Sequence, residues 1–236
     1  SKIAPSSPTV PEIFFVGFAG QASEDVFLNE ALAAADLFRR RFGARRRAMV
    51  LANNPKSAHE LPFASVSNLG VALREIAGKM GEEDILFLYL TSHGQHKRLS
   101  VRYGRVDFPD LRPAHLRRIL DEVGIKNRVL AISACYSGSF IEALKGGNTL
   151  VMTASASDRV SFGCGHDGTF TYFGKALIGE ALENELSFTR AFEIAARSIE
   201  KQEKKEGLVP SKPQIHVGKS IGAVLQKIEQ HLQGLR

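Results

Sequence analysis

Two short apolar runs, ILFLYLTSHG ending at Gly94 and NRVLAISACYSG ending at Gly138, constrain this chain more than any other feature. A strand covered on both faces reads as a near-continuous apolar run, whereas a strand with one wet face alternates. Both runs are therefore predicted to be central strands of a parallel sheet with helices on either side. Open α/β sheets place their chemistry just beyond the carboxyl ends of such strands. The first run delivers His93 to that edge and the second delivers Cys135. A structural histidine and a buried free cysteine are the competing reading, since burial is the ordinary fate of a lone thiol. The position of both at strand ends, beside glycine and small residues, favours chemistry.

The rest of the chain alternates strand and helix signals. IFFVGFAG (13–20) is the first strand, and Ser23 offers an N-cap with Glu24 and Asp25 in the first turn. Phe27, Ala31, Ala34, Ala35, Phe38 and Phe42 then recur at three- and four-residue spacing, marking one buried helix face. Further strands are expected over 48–53, 85–90, 129–133, 148–153 and 214–218, with a small hairpin over 99–108 around a glycine. Helices are expected over about 67–80, 113–123, 139–144, 172–182, 187–205 and 221–232. Strands alternating with helices imply an α/β fold in which about six mostly parallel strands are sandwiched between helices on both faces. The Ser/Gly/Asp-rich stretch from Ser155 to Gly168 interrupts this rhythm, and loops of that length inside a compact domain are usually functional.

Composition sets outer limits. With 236 residues, 44% hydrophobic and 24% charged, the chain has the make-up of a globular protein with a sizeable core. No run approaches the length of a membrane span. The Ser/Pro-rich residues 1–11 read as a tether, and 12–236 as one domain. The net charge of +6 is concentrated in RRRFGARRR, from Arg39 to Arg47. Cations next to Gly43 at a helix C-terminus explain that run better than a nucleic-acid patch, since no nucleic-acid-binding signature accompanies it. The two cysteines, Cys135 and Cys164, are too few for a disulfide framework and lack zinc-site spacing. A single bridge between them and a nucleophilic Cys135 are competing readings.

A thiol attacks as thiolate, so a neighbouring imidazole that takes its proton makes a dyad competent for acyl transfer. The resulting tetrahedral intermediate needs donors for its oxyanion. Gly94, without a Cβ, lets its N–H approach a carbonyl, and the Cys135 amide is a second donor. The small residues Ser133, Ala134, Ser137, Gly138 and Ser139 leave room for a peptide. His96, His115 and His166 read as solvated, Asp158 and Asp167 as turn-capping, and Cys164 as a small semi-buried loop residue.

SHG after one apolar strand and SACYSG after the next resemble the legumain-like cysteine peptidases of the caspase–haemoglobinase class, which includes the catalytic subunit of the GPI transamidase. His93 and Cys135 are 42 residues apart, close to the roughly 50 of caspases. AGQASEDVF matches the family's AGS-type opening, and TASASDRVSFGCGHDGTFTYFG is similar to its TAA, SYAC and STYLG runs, so the resemblance extends over about 13–182. It implies a caspase–haemoglobinase-like three-layer sandwich and a thiol endopeptidase acting through a thioester acyl-enzyme. In it, His93 is the general base, Cys135 the nucleophile, and Gly94 with Cys135 the oxyanion hole. Ser155, Ser161 and Phe162 would line the groove where a substrate strand pairs. The partner would be a peptide or protein, with no metal or organic cofactor and no nucleic acid. Such domains also resemble the soluble part of bacterial envelope proteins with a membrane-anchoring segment, which here would lie outside the chain; otherwise the setting would be cytoplasmic.

The departures from the family pattern matter as much. Legumains keep an Asn after the first strand that orients the His; here the stretch reads Gln21-Ala22-Ser23, leaving Ser23 or a backbone carbonyl for that role. The Asn-selective pocket of legumains uses an Arg–His pair and two acidic residues, at positions matching Phe27, Leu28, Ser133 and Lys175. Cleavage restricted to Asn is therefore not expected, and Lys175 within the pocket would favour an acidic or neutral polar residue. A transamidase or ligase using the same acyl-enzyme is the nearest alternative, and a non-catalytic α/β binding domain the alternative of another class. No glycine-rich phosphate loop supports nucleotide binding.

Overall fold

The computed structural model describes residues 3–7, 10–165 and 168–234. In chain order the elements are β1 (Ile13–Ala19), α1 (Asp25–Arg41), β2 (Ala48–Ala52), α2 (Val66–Ala77) and β3 (Ile85–Thr91). Two small ribbons follow, β4 (Gly94–Gln95) with β5 (Arg98–Leu99), and β6 (Arg102–Tyr103) with β7 (Val106–Asp107). Then come α3 (Pro113–Glu122), β8 (Asn127–Ser133), α4 (Ile141–Leu144) and β9 (Thr149–Thr153). A continuous helical segment is built from α5 (Tyr172–Gly174), a π-helical stretch (Lys175–Ala181) and α6 (Leu182–Asn184). The chain closes with α7 (Phe188–Lys205), β10 (Gln214–Val217) and α8 (Ile221–Gly234).

Six strands form one sheet in the order β10-β9-β8-β3-β1-β2, parallel throughout except for the antiparallel edge strand β10. Successive strand residues alternate between two cores. Phe15, Phe87, Tyr89, Val129, Ala131 and Met152 face α1, the 172–184 segment, α7 and α8. Phe14, Val16, Leu86, Leu88, Leu130 and Ile132 face α2, α3 and α4. Since both faces are covered, neither set can be polar, which is why these strands read as unbroken apolar runs. The first core is anchored by aromatic rings, with Phe38 4.8 Å from Phe15 and 4.3 Å from Phe87. The architecture is the expected α/β sandwich of mostly parallel strands between helices.

Local chemistry explains the boundaries. α1 ends with Arg39, Arg40 and Arg41 in its last turn, and Gly43 at φ 71° turns the chain away. Arg40 pairs with Asp36 at 2.6 Å and Glu183 at 2.9 Å, while Arg47 pairs with Glu12 at 2.8 Å. The basic run thus lies at a helix C-terminus and along its flank. The stretch expected as one helix over 139–144 is a 3-10 turn, Ser137–Phe140, followed by α4. Near the start of the chain Ile3 is buried, Ala4 N–H donates to the Arg46 carbonyl at 2.8 Å, and Ser6 N–H donates to the Lys79 carbonyl at 2.8 Å. Among the described residues no helix is long and apolar enough to cross a membrane.

Candidate active site

Strands β3 and β8 are parallel neighbours paired in register, Thr91 opposite Ser133. His93 and Cys135 each lie two residues beyond that pair, on adjacent strands whose spacing is about 4.8 Å. Ser92 N–H donates to the Ser133 carbonyl at 3.3 Å, carrying the ladder past the strand ends. Beyond it, a Cβ at Gly94 would overlap the Cys135 carbonyl oxygen and come within 2.9 Å of the Ala134 Cβ. The two motifs touch backbone to backbone, and glycine is what permits it. The topological switch point, between β1 and β3, is one strand away from the β3–β8 pair that carries the two residues. A cleft of about 280 Å³ with Gln21, Ser23, Arg102 and Tyr103 in its wall lies beyond the end of β1, and neither His93 nor Cys135 lines it.

The turn that presents Cys135 is tightly held. Tyr136 adopts the left-handed region, φ 57° and ψ 18°, a conformation that costs a non-glycine residue about 1–3 kcal/mol. Tyr136 N–H donates to the Arg159 carbonyl at 2.7 Å, Gly138 N–H to the Ser155 carbonyl at 2.9 Å, and Ser139 N–H to the Tyr136 carbonyl at 3.0 Å. The Cys135 sulfur receives the Ser161 N–H at 3.3 Å and donates to the Ser161 carbonyl at 3.4 Å. The Cys135 N–H itself makes no hydrogen bond to another described residue.

His93 is held from three sides. Its Nε2 lies 3.0 Å from Glu24 Oε2, the edge of its ring meets Phe27 at 5.1 Å between centroids, and its carbonyl accepts from Ser100 N–H at 2.9 Å. With Nε2 engaged by a carboxylate, Nδ1 is the ring nitrogen with no partner among the described residues. Glu24 is a partner that sequence reasoning missed. The helix was expected to start from Ser23, but α1 begins at Asp25 and Glu24 itself occupies the N-cap position with extended backbone, φ −129° and ψ 139°. Its side chain makes no capping bond, accepts the Ser23 hydroxyl and reaches across to His93. An acidic residue at a helix start is ordinarily explained by the dipole alone, so nothing in the local pattern pointed to the imidazole.

The other residues singled out from sequence divide into two groups. Ser161 touches the Cys135 sulfur, and Phe162 lies beside it with its carbonyl accepting Tyr172 N–H at 3.0 Å. Ser155, expected to line the groove, is instead fully buried, with its hydroxyl donating to the Ala134 carbonyl at 3.2 Å and accepting Ser137 N–H at 3.2 Å. It stitches the Cys135 turn from inside, where a Cβ at Gly138 would crowd the Ser157 nitrogen at 2.7 Å. Phe27 and Leu28 are also interior residues, and Ser133 is buried with its hydroxyl 3.0 Å from that of Thr171. Lys175 is exposed with its ammonium 3.9 Å from Glu180, so its side chain runs along its own helix, away from the Thr171 end that meets Ser133. Both cysteines are free thiols, and Cys164 is half-buried with its pKa pushed up chiefly by that burial. His166 and Asp167 lie outside the described residues.

Behind the two strand ends lies a buried carboxyl that sequence reasoning also passed over. Glu30 Oε2 accepts from Thr91 Oγ1 at 2.6 Å and Tyr89 OH at 3.0 Å, and Oε1 accepts from Thr171 N–H at 2.6 Å. Burial pushes its pKa up, opposed by the hydrogen bonds to Thr171, Thr91 and Tyr89. A carboxyl raised in the fold contributes stability that is complete below its unfolded pKa and is lost as pH rises through the folded value. A Glu30→Gln variant, which cannot ionise, is therefore expected to gain stability relative to the parent as pH rises. Paired thermal melts across the acid-to-neutral range check this, and a difference independent of pH would contradict it. Among the described residues no cluster of three or more His, Cys, Asp or Glu side chains is arranged to hold a metal ion.

The model of the Peptidase C13 family matches residues 73–223, a span that begins in α2 and includes both strand-end motifs and the loop after β9. No curated protein matches the chain. The match covers over half of the sequence and takes in both strand ends and the loop after β9, ending three residues into α8. The chain accordingly belongs to the Peptidase C13 family, the legumain-like cysteine peptidases.

Proposed function

We propose that the chain hydrolyses peptide bonds with Cys135 as nucleophile and His93 as general base and then general acid. The observation that carries this reading is the in-register pairing of β3 with β8, from which the imidazole and the thiol leave the same sheet edge. His93 Nδ1 takes the thiol proton, the sulfur adds to the scissile carbonyl, and the imidazolium returns the proton to the departing amine. Water, deprotonated in turn by His93, then cleaves the thioester. Glu24 keeps the ring oriented and stabilises the imidazolium. The Gly94 and Cys135 N–H groups serve the oxyanion, a reading supported by the Cys135 amide having no partner among the described residues. Of the two thiols, Cys164 is the less suited to attack, because burial favours its protonated form.

Specificity follows from what surrounds the sulfur. Ser161, the residue in contact with the sulfur, is uncharged, and Lys175 is turned along the helix surface, so the residue preceding the scissile bond is expected to be neutral without restriction to Asn. Labelling with a panel of peptidyl electrophiles varied at that residue, read by mass spectrometry, tests both points. Modification is expected at Cys135, with several neutral residues accepted and none in Cys135→Ala. Labelling that persists in Cys135→Ala would overturn the nucleophile assignment, and reaction confined to the Asn probe would overturn the specificity.

A further inference from the structure

We propose that Glu30 is a positioning residue of the peptidase site, bracing the His93 strand against the segment that closes the Cys135 loop. The inference rests on the peptidase reading above. Glu30 lies on α1, fully buried, and its carboxyl is bonded to three groups with no cation among them. Two of the bonds, from Tyr89 and Thr91, come from β3, and the third comes from Thr171. Thr91 stands two residues before His93. Thr171 ends the loop whose Ser161 holds the Cys135 sulfur, and its hydroxyl is shared with Ser133, two residues before Cys135. Thr171 also caps the next helix, accepting Gly174 N–H at 3.0 Å. The base, the nucleophile and the substrate loop therefore converge on one carboxyl group.

Helix packing alone does not account for this residue. The neighbouring buried positions on α1 are Phe27, Ala31 and Ala34, and an apolar side chain at position 30 would avoid the cost of burying a carboxyl. The opposing helix is cut to fit it: a Cβ at Gly174 would overlap the Glu30 carboxyl. Two residues, one polar and one minimal, are thus spent on a contact that joins the site's three segments. The bonds fix registry. Thr91 is already held in the sheet between β1 and β8, so the Glu30 bonds serve to set the Thr171 segment against it, and a 1 Å misplacement costs a reaction about 10²-fold.

The test compares Glu30→Gln, Glu30→Met and the double variant Glu30→Ala/Gly174→Ala in cleavage of a fluorogenic peptide, with thermal melts alongside. Gln still accepts from Thr171 N–H, and the Thr91 and Tyr89 hydroxyls can rotate to accept from its amide. It should retain kcat/KM within about threefold, the conservative variant rescuing what truncation removes. Glu30→Met fills the space without the bonds and is expected to stay folded while losing about 10²-fold in kcat, with KM changed far less. The double variant places a methyl where the carboxyl was, keeping the packing assessable should Met not fit, and should show the same loss. A folded Met or double variant with undiminished kcat would overturn the brace, as would a folded Gln variant as impaired as Met. Failure of the underlying reading is distinguishable, because it would appear as cleavage that survives Cys135→Ala.

Discussion

Gly94→Ala is expected to lower kcat/KM by about 10²–10³-fold while the protein still folds, because it forces apart the two motifs that must act together. The added Cβ would overlap the Cys135 carbonyl oxygen and crowd the Ala134 Cβ at 2.9 Å. Neither side can yield cheaply. Gly94 is fixed by its pairing with Leu99 in the β4–β5 ribbon, and His93 by the bond from Ser100. Cys135 is followed by a left-handed residue clamped to Arg159. Relief of the overlap needs a shift approaching 1 Å, enough to spoil both the approach of His93 to the thiol and the aim of the oxyanion donors. Overpacking of this kind also destabilises by about 1–3 kcal/mol, which for a chain of this size lowers Tm by several degrees. Gly222→Ala is the control: nothing lies within 4 Å of its added Cβ in α8, so activity should be unchanged. Steady-state kinetics with melting curves decide the matter, and a Gly94→Ala enzyme with parental kcat/KM would show that the close approach has no bearing on the reaction.

The central strands were legible because burial on both faces leaves polar residues only at their ends, and His93 and Cys135 were legible because each stands where such a run stops. What sequence could not supply was the direction of individual side chains. Ser155 and Ser161 belong to the same polar loop, yet one is sealed beneath the Cys135 turn and the other lies on the sulfur. Periodicity cannot separate them in a segment without regular structure. Lys175 was assigned to the pocket by motif alignment, but it opens a π-helical stretch whose side-chain phase differs from that of an α-helix, and it faces outward. Glu30 was harder still, since a lone carboxyl in an amphipathic helix reads as solvated. Its partner Thr171 is 141 residues away, so only the folded topology reveals that the position is interior.

Glu24 carries the last expectation, at least as large as that for Gly94. Glu24→Ala should lower kcat by about 10²–10⁴-fold, by analogy with the loss seen when a carboxylate that orients a catalytic histidine is neutralised. Two effects combine. The carboxylate accepts the Nε2 proton and so fixes the tautomer that leaves Nδ1 free to take the thiol proton; without it the neutral ring is free to adopt the other tautomer. It also stabilises the imidazolium, so its removal weakens the base at the moment the thiolate forms. Glu24→Gln separates these contributions. A Gln amide can still hydrogen-bond to the ring but adds no negative charge, and if it presents its NH₂ to Nε2 it selects the wrong tautomer. Its kcat should therefore fall nearly as far as that of Ala. Stability should barely change in either variant, because Glu24 caps nothing and pairs with a half-exposed imidazole. The measurement is kcat across pH for the three proteins together with the rate at which iodoacetamide alkylates Cys135. If Glu24→Gln keeps parental kcat, the ring is oriented by its contact with Phe27 and by the backbone that Ser100 holds, and the carboxylate contributes nothing to catalysis.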